Sequence, residues 1–335
     1  MRAFASNLAL ALLSSLVALT LLEVAFRLRP DDGGDRPTAV ETRRSGHWRQ
    51  PDFRDRSYLP LKRKRGFRVL VIGDSFTWGS GVHAEDAYPD RLGRAVDRLK
   101  VREPIEVVNW SRPGWNTVHE LRALQRHRPK VQFDLVIVGF VLNDAEPPKA
   151  DHVERLREQL RLGPPESSEP RSAAARLAVA GSALASFTWR RLENSRRRRA
   201  LTEYYLSLYG PDGGWDQAQA ALAQLLEIAR HADAPAVLLI FPIFDSPLDQ
   251  RYPYRDLHAR VAESGGAMGY LVLDLLPSFD AMDTRRLAVE PFVDPHPNEL
   301  AHRIAADSLA DFLTQRQLLP LIAPRGAGPD METRR

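Results

Sequence analysis

Four short segments carry the residue types that acyl transfer through a serine needs. Gly73-Asp74-Ser75 places a hydroxyl in a tight turn. A serine hydroxyl is a weak nucleophile and needs a base, usually histidine, with a third group to orient it. Asp294-Pro295-His296-Pro297-Asn298 supplies both kinds of group: His296 as the base, and Asp294 to hold its tautomer and stabilise the imidazolium. The tetrahedral intermediate also needs donors for its oxyanion. Asn109-Trp110-Ser111-Arg112-Pro113-Gly114 offers a backbone N–H with no side chain over it, and Gly139-Phe140-Val141-Leu142-Asn143-Asp144 offers the Asn143 amide. Each segment has a plainer reading, as turn formers, loop residues or a helix start with a surface histidine. Their conjunction carries the weight.

The elements around these segments account for how they meet. Phe67 to Ile72 is a short apolar run, as are Ile105 to Asn109, Leu135 to Phe140, Ala236 to Phe241 and Leu271 to Leu275. These read as buried strands. Helical spacing marks Asp86 to Leu99, Thr117 to His127, Trp215 to His231, Asp256 to Ser264 and Glu299 to Gln315, with Asn298 as N-cap of the last. Apolar strands alternating with helices imply a parallel sheet covered on both faces, with its site at the carboxyl ends of the strands. Serine, glycine, asparagine and histidine each follow a strand, so Ser75 and His296 can meet on one edge. The stretch 150–200 interrupts the alternation and reads as a helical insertion, a cap on the domain or a membrane-surface element.

Composition narrows the chemistry. The 335 residues carry a formal net charge of +4 and no cysteine, which removes thiol catalysis, cysteine metal sites and disulfides. His83, His119 and His127 have no partners at metal-ligand spacing, so no metal site is expected. Neither G-x-x-x-x-G-K-[ST] nor G-x-G-x-x-G follows the first strand, and no cofactor is expected. Arg190, Arg191 and Arg196 to Arg199 form a dense basic block without any nucleic-acid-binding motif. It reads as a solvated face or a contact with anionic lipid or polymer, not with nucleic acid. His302 either packs or lines the rim of the site. Asp74 and Asp144 read as loop braces, and Trp78 and Trp115 as apolar walls or core.

At the N-terminus, Ala3 to Leu22 is uncharged and rich in Leu and Ala. As a helix it spans about 30 Å, the thickness of a bilayer core. No small-x-small cleavage site closes it, so the expectation is an uncleaved single-pass anchor over 1–28, with a cleaved signal peptide as the alternative. A polar linker covers 29–66, the domain 67–318, and a disordered tail 319–335. Arg2 precedes the apolar run and Arg27 and Arg29 follow it, so charge does not set the orientation.

Gly73-Asp74-Ser75, Gly114, Asn143-Asp144 and Asp294 with His296 resemble the four sequence blocks of the SGNH (GDSL-type) hydrolase superfamily. The resemblance covers most of Phe67 to Gln315. It implies a flavodoxin-like three-layer α/β/α sandwich with a parallel five-stranded sheet of order 2-1-3-4-5. It also implies Ser75 as nucleophile, His296 as base, and an oxyanion hole made by the N–H groups of Ser75 and Gly114 and the amide of Asn143. Two positions depart from the family pattern. Val141 stands where a glycine is usual, and Val293 where the aspartate is usual, three before the histidine. Asp294 then either completes a triad by a local backbone shift or leaves a Ser-His dyad. The implied activity is hydrolysis or transfer of O-acyl esters on small molecules or carbohydrates, with acetylated envelope carbohydrate as the suggested class. An anchored, exported domain also resembles bacterial members. The alternative is a catalytically inactive envelope binding protein.

Overall fold

The computed structural model describes residues 14–15, 17–25, 27–28, 54, 62, 65–127, 131–147, 170, 172–280, 282–291 and 294–322. The chain divides into two compact units: Met1–Thr38 with Val153–Tyr204, and Ala39–His152 with Tyr205–Arg335.

The larger unit is built on five parallel strands: β1 (Phe67–Gly73), β2 (Ile105–Ser111), β3 (Leu135–Phe140), β4 (Ala236–Ile240) and β5 (Leu271–Asp274). Their order is β2-β1-β3-β4-β5, as the sequence reading expected. β3 and β4 are buried at every position, which is why they are continuous apolar runs and not alternating ones. The helices of this unit are α1 (Ser75–Trp78), α2 (Tyr88–Val96), α3 (Thr117–His127), α6 (Trp215–His231), α7 (Arg255–Met268) and α8 (Glu299–Gln315). Each turns one stripe inward. In α6, Ala218, Leu222, Leu225 and Ala229 are buried at helical spacing. Asn298 caps α8, its side chain accepting from the N–H groups of Leu300 and Ala301.

Strand order reverses direction at β1, which lies between β2 and β3. This is where doubly wound sheets open a crevice beyond the strand carboxyl ends. Gly73 is in register with Ser111 on one side and Gly139 on the other. Ser75, Gly114 and Asn143 follow these three positions on the same edge. Two glycines are needed there for close approach. A Cβ on Gly73 would sit 2.1 Å from Thr77 Oγ1, and one on Gly139 would sit 2.3 Å from the same atom. Helix α1 therefore lies directly across the ends of β1 and β3.

Three expectations need correction. The sequence pattern predicts no strand at Asp294 to Asn298, but Asp294–Pro297 is a strand, β7, antiparallel to β6 (Ala288–Glu290). Pro295 and Pro297 hid it, since proline is tolerated on an isolated hairpin that asks for few ladder bonds. Residues 319–322 are held by backbone bonds and bridges, where a disordered tail is expected from 319. Arg102 N donates to Pro320 O at 2.8 Å, Ile322 N donates to Lys100 O at 2.9 Å, and Leu321 bridges Val101. These backbone groups find partners, which fixes the segment; residues 323–335 lie outside the described residues. The stretch 29–66 is not wholly a free linker: Lys62 Nζ is 2.6 Å from Asp134 Oδ1, and the Arg54 guanidinium lies 4.9 Å from the Trp78 ring centroid.

The smaller unit contains α4 (Ala173–Gly181) and the part of α5 (Ala183–Leu208) up to Tyr204. Residues 14–15, 17–25 and 27–28 are helical. Most of the expected span Ala3 to Leu22 lies outside the described residues. No helix among the described residues is long and apolar enough to cross a membrane.

Candidate active site

β1 ends at Gly73, and Asp74 turns the chain into α1 by capping it, its Oδ1 accepting from Phe76 N at 2.8 Å. Ser75 is thereby the first residue of the helix and is half-buried. Asn109 on β2 pins α1 from beneath, its Nδ2 donating to Thr77 O at 3.0 Å. Buried Thr77 and Tyr88 share a hydroxyl contact of 3.0 Å. The serine thus sits on a short helix held from three sides.

His296 reaches this serine from the other end of the chain. Its Nε2 is 2.9 Å from Ser75 Oγ across a separation of 221 residues. Its Nδ1 is 2.5 Å from Asp294 Oδ1, which also accepts from His296 N at 3.0 Å. The spacing of two has a simple cause: alternate side chains on a strand point to the same face, so on β7 Asp294 and His296 lie side by side. The structure therefore brings Ser75, His296 and Asp294 into one chain of contacts, and Asp294 needs no special backbone shift. The Phe76 ring packs on the imidazole with centroids 5.2 Å apart. Burial pushes the Asp294 carboxyl up, but the hydrogen bond from His296, its charge and its backbone N–H outweigh this and hold it below its usual range.

Asn143 follows β3 in a short turn that Asp144 closes, Val141 N donating to Asp144 Oδ2 at 2.7 Å. Val141 is buried in extended conformation, a backbone state that asks for no glycine. The Asn143 amide donates to Asp74 Oδ2 at 3.2 Å, and Ser75 Oγ lies 3.4 Å from the same oxygen. A side-chain amide has two N–H groups, so one remains beyond that bond. Gly114 is exposed with φ +78°, and a Cβ there would meet nothing within 4 Å. It is glycine for its backbone conformation and not for packing. Arg112 N, donating to Gly73 O at 3.1 Å, ties its loop to the end of β1.

Asp74, Glu120 and Asp144 are all buried, and burial pushes each of their carboxyls up. Neither carboxyl oxygen of Glu120 has a hydrogen-bond partner among the described residues. Asp74 accepts from Phe76 N, Asn143 and Ser75, so the negative charge of this cluster is best accommodated there. Asp74 and Asp144 act as the braces the sequence suggested. Glu120 was missed, although helical spacing puts it on the buried stripe of Thr117, Leu121 and Leu124. His302 is fully buried, its Nδ1 accepting from Tyr88 N at 3.3 Å; burial and the charges of Arg91, His296 and Arg54 lower it to about 3. Trp78 and Trp115 are both half-buried. Among the described residues no cluster of three or more His, Asp or Glu side chains forms a metal site.

The model of the GDSL-like Lipase/Acylhydrolase family matches residues 71–304, a range that contains all five site positions. No curated protein matches the chain. Among solved structures, similarity extends to a catalytic variant of Axe2, an acetylxylan esterase from Geobacillus stearothermophilus. It shares 16% identity over 79% of this chain and 100% of its own, with a TM-score of 0.45. A member of the lipolytic protein G-D-S-L family from Veillonella parvula DSM 2008 shares 11% over 74% and 99%, TM-score 0.42. The psychrotrophic esterase EstA from Pseudoalteromonas sp. shares 14% over 75% and 98%, TM-score 0.40. With a family match over most of its length, the chain belongs to the GDSL-like lipase/acylhydrolase family and is a hydrolase of carboxylic esters.

Proposed function

We propose that this hydrolase works through Ser75, His296 and Asp294. The observation that carries the reading is the continuous contact from Ser75 Oγ to His296 Nε2, 2.9 Å, and from His296 Nδ1 to Asp294 Oδ1, 2.5 Å. Ser75 Oγ attacks the ester carbonyl carbon while His296 Nε2 takes its proton. The oxyanion accepts from the N–H groups of Ser75 and Gly114 and the amide of Asn143. Collapse expels the alkoxide, which leaves with the proton held on His296, and an acyl group remains on Ser75. A water or sugar hydroxyl then gives its proton to His296 and attacks the acyl carbon, and Ser75 is released with the proton returned. Asp294 holds the tautomer in which Nε2 is free to accept, and opposes the imidazolium charge at each stage.

The substrate proposed is an O-acyl ester, with acetylated envelope carbohydrate as the class to test. Trp115 supports it: it directly follows Gly114 and is only half-buried, at a place where an indole can meet a sugar. The run Ala3 to Leu22 is proposed as an uncleaved anchor that leaves the domain outside the cytoplasm, which a periplasm-dependent phosphatase fused after Arg29 would report by being active.

Ser75→Ala is expected to abolish turnover of p-nitrophenyl acetate and acetate release from an O-acetylated glycan. It should also lose labelling by a fluorophosphonate probe. A folded wild-type chain that neither turns over the ester nor takes the probe would instead make this a binding protein.

A further inference from the structure

The smaller unit contains a carboxylate that sequence reading passed over. Glu23 directly follows the N-terminal apolar run, where a charge is costly unless paired. Its Oε1 accepts from Ala183 N at 2.9 Å and from Arg27 Nε at 2.8 Å. Its Oε2 accepts from Ser182 Oγ at 2.8 Å and from Leu184 N at 3.1 Å. Arg27 Nη2 then reaches back to Gly181 O at 3.0 Å. Glu23 is therefore the acid at the start of α5, supplied from some 160 residues earlier in the chain. Arg27 takes a carbonyl at the end of α4. The two side chains fasten the N-terminal helical segment to the α4–α5 junction and leave neither charge uncompensated.

What this clamp joins is apolar on the outside. Leu19, Leu21 and Leu28 are 54%, 64% and 77% exposed, and on α4 Leu177 is 75% exposed. Exposed apolar surface of this kind asks for a partner. The neighbouring charges say which. Arg190 and Arg199 lie about 10 Å and 24 Å along α5 from its first residue, at 1.5 Å per residue. Arg190, Arg191, Arg196 and Arg199 are exposed and have no carboxylate partner among the described residues. Consecutive residues step by about 100° around a helix, so Arg196 to Arg199 present cations on nearly every side of α5. Apolar surface flanked by the exposed Arg190, Arg191, Arg196 and Arg199 matches a bilayer with anionic headgroups, the apolar side chains entering the acyl boundary and the guanidiniums meeting phosphate.

We propose that the N-terminal helical segment, α4 and the arginine-bearing part of α5 form one lipid-contacting module whose partner is an anionic bilayer surface, held together by the Glu23–Arg27 clamp. This goes beyond the anchor: it gives the insertion a membrane contact of its own, whether or not Ala3 to Leu22 spans.

The chain has no cysteine, so Leu177→Cys provides a unique site for an environment-sensitive NBD label. The labelled full-length chain is reconstituted into vesicles of phosphatidylcholine alone or with phosphatidylglycerol. The label is expected to shift to the blue and be quenched by doxyl-chain lipid in the anionic vesicles, with reversal at high salt. Each arginine near such a surface shifts the docked equilibrium by about fivefold, so replacing Arg190, Arg191, Arg196 and Arg199 by serine should move it by on the order of 10²–10³. Glu23→Ala should release the label from lipid while the chain stays with the vesicles. Equal, salt-insensitive exposure in both vesicle types overturns the proposal, as does retention of a DNA duplex by the arginines while the label stays in water. Turnover of p-nitrophenyl acetate is measured throughout; it should be unchanged in every variant, so that failure of this module is separable from failure of the Ser75 assignment.

Discussion

Replacing Asp294 by asparagine removes one charge and keeps the side chain's shape. If His296 becomes an imidazolium in the transition state, it faces a carboxylate whose charge centre is about 4 Å away, an attraction of roughly 4 kcal/mol at an effective dielectric of about 20. The pair is not dry: the side chains of His296 and Asp294 are 28% and 37% exposed. Solvent screening brings the estimate to about 2–3 kcal/mol, or about a 30- to 160-fold loss in kcat. A second loss comes from the proton's position. The asparagine amide can present an N–H to Nδ1, which favours the tautomer with its proton on Nε2, unable to accept from Ser75. Together the expected loss is about 10²–10³, short of the roughly 10⁴ known for the same exchange where a protease buries its aspartate. The assay is steady-state hydrolysis of p-nitrophenyl acetate, with the thermal midpoint as a control for folding. KM should move little, because the charge acts on a state that substrate binding does not create. A folded Asp294→Asn enzyme with kcat within threefold of wild type would refute the reasoning and leave Asp294 a strand residue that happens to touch the base.

Three further outcomes follow from the geometry. Asn143→Ala should lower kcat by on the order of 10²–10³, read in the same assay, since one oxyanion donor is lost. Glu120→Leu should stabilise the fold by roughly 1–3 kcal/mol in urea denaturation, because it removes a buried carboxyl that no donor satisfies. The raised folded-state pKa of Glu120 means that ionisation opposes folding, so the gain should grow as pH rises above the ordinary carboxylate range. His302 titrates near 3 when folded and near 6.5 when unfolded, so the unfolded chain binds the extra proton between these values. Stability should be fully present above about 6.5 and fall by as much as roughly 5 kcal/mol as pH drops towards 3. A His302→Gln chain should lack that part of the slope in acid denaturation.

The sheet was legible because its strands are apolar on both faces and its helices carry single buried stripes; each of the five strands falls within a residue or two of its expected place. Ser75 and His296 were legible because strand-end positions in such a sheet share an edge. The contact between Asp294 and His296 was not, since it depends on a strand that two prolines disguised. Glu120 sits on a countable helical stripe, but only the neighbouring Asp74 and Asp144, brought in by the fold from other elements, make its burial notable. The Glu23 clamp left no pattern at all: a single glutamate after an apolar run says nothing about the helix start it meets across the chain.

The hairpin that carries Asp294 and His296 separates two kinds of fragility. The distance between these two side chains is set by three consecutive residues, so it survives any loosening of the domain that spares one short ribbon. The distance from His296 to Ser75 is set by the whole sheet and by α8, so it registers every slip between the two ends of the chain. Under the proposed mechanism, slippage in the scaffold separates His296 from Ser75 while leaving its contact with Asp294 in place. For anyone grafting this chemistry onto another scaffold, the acid and base can travel together as one four-residue cassette. The serine, by contrast, must be aimed anew each time.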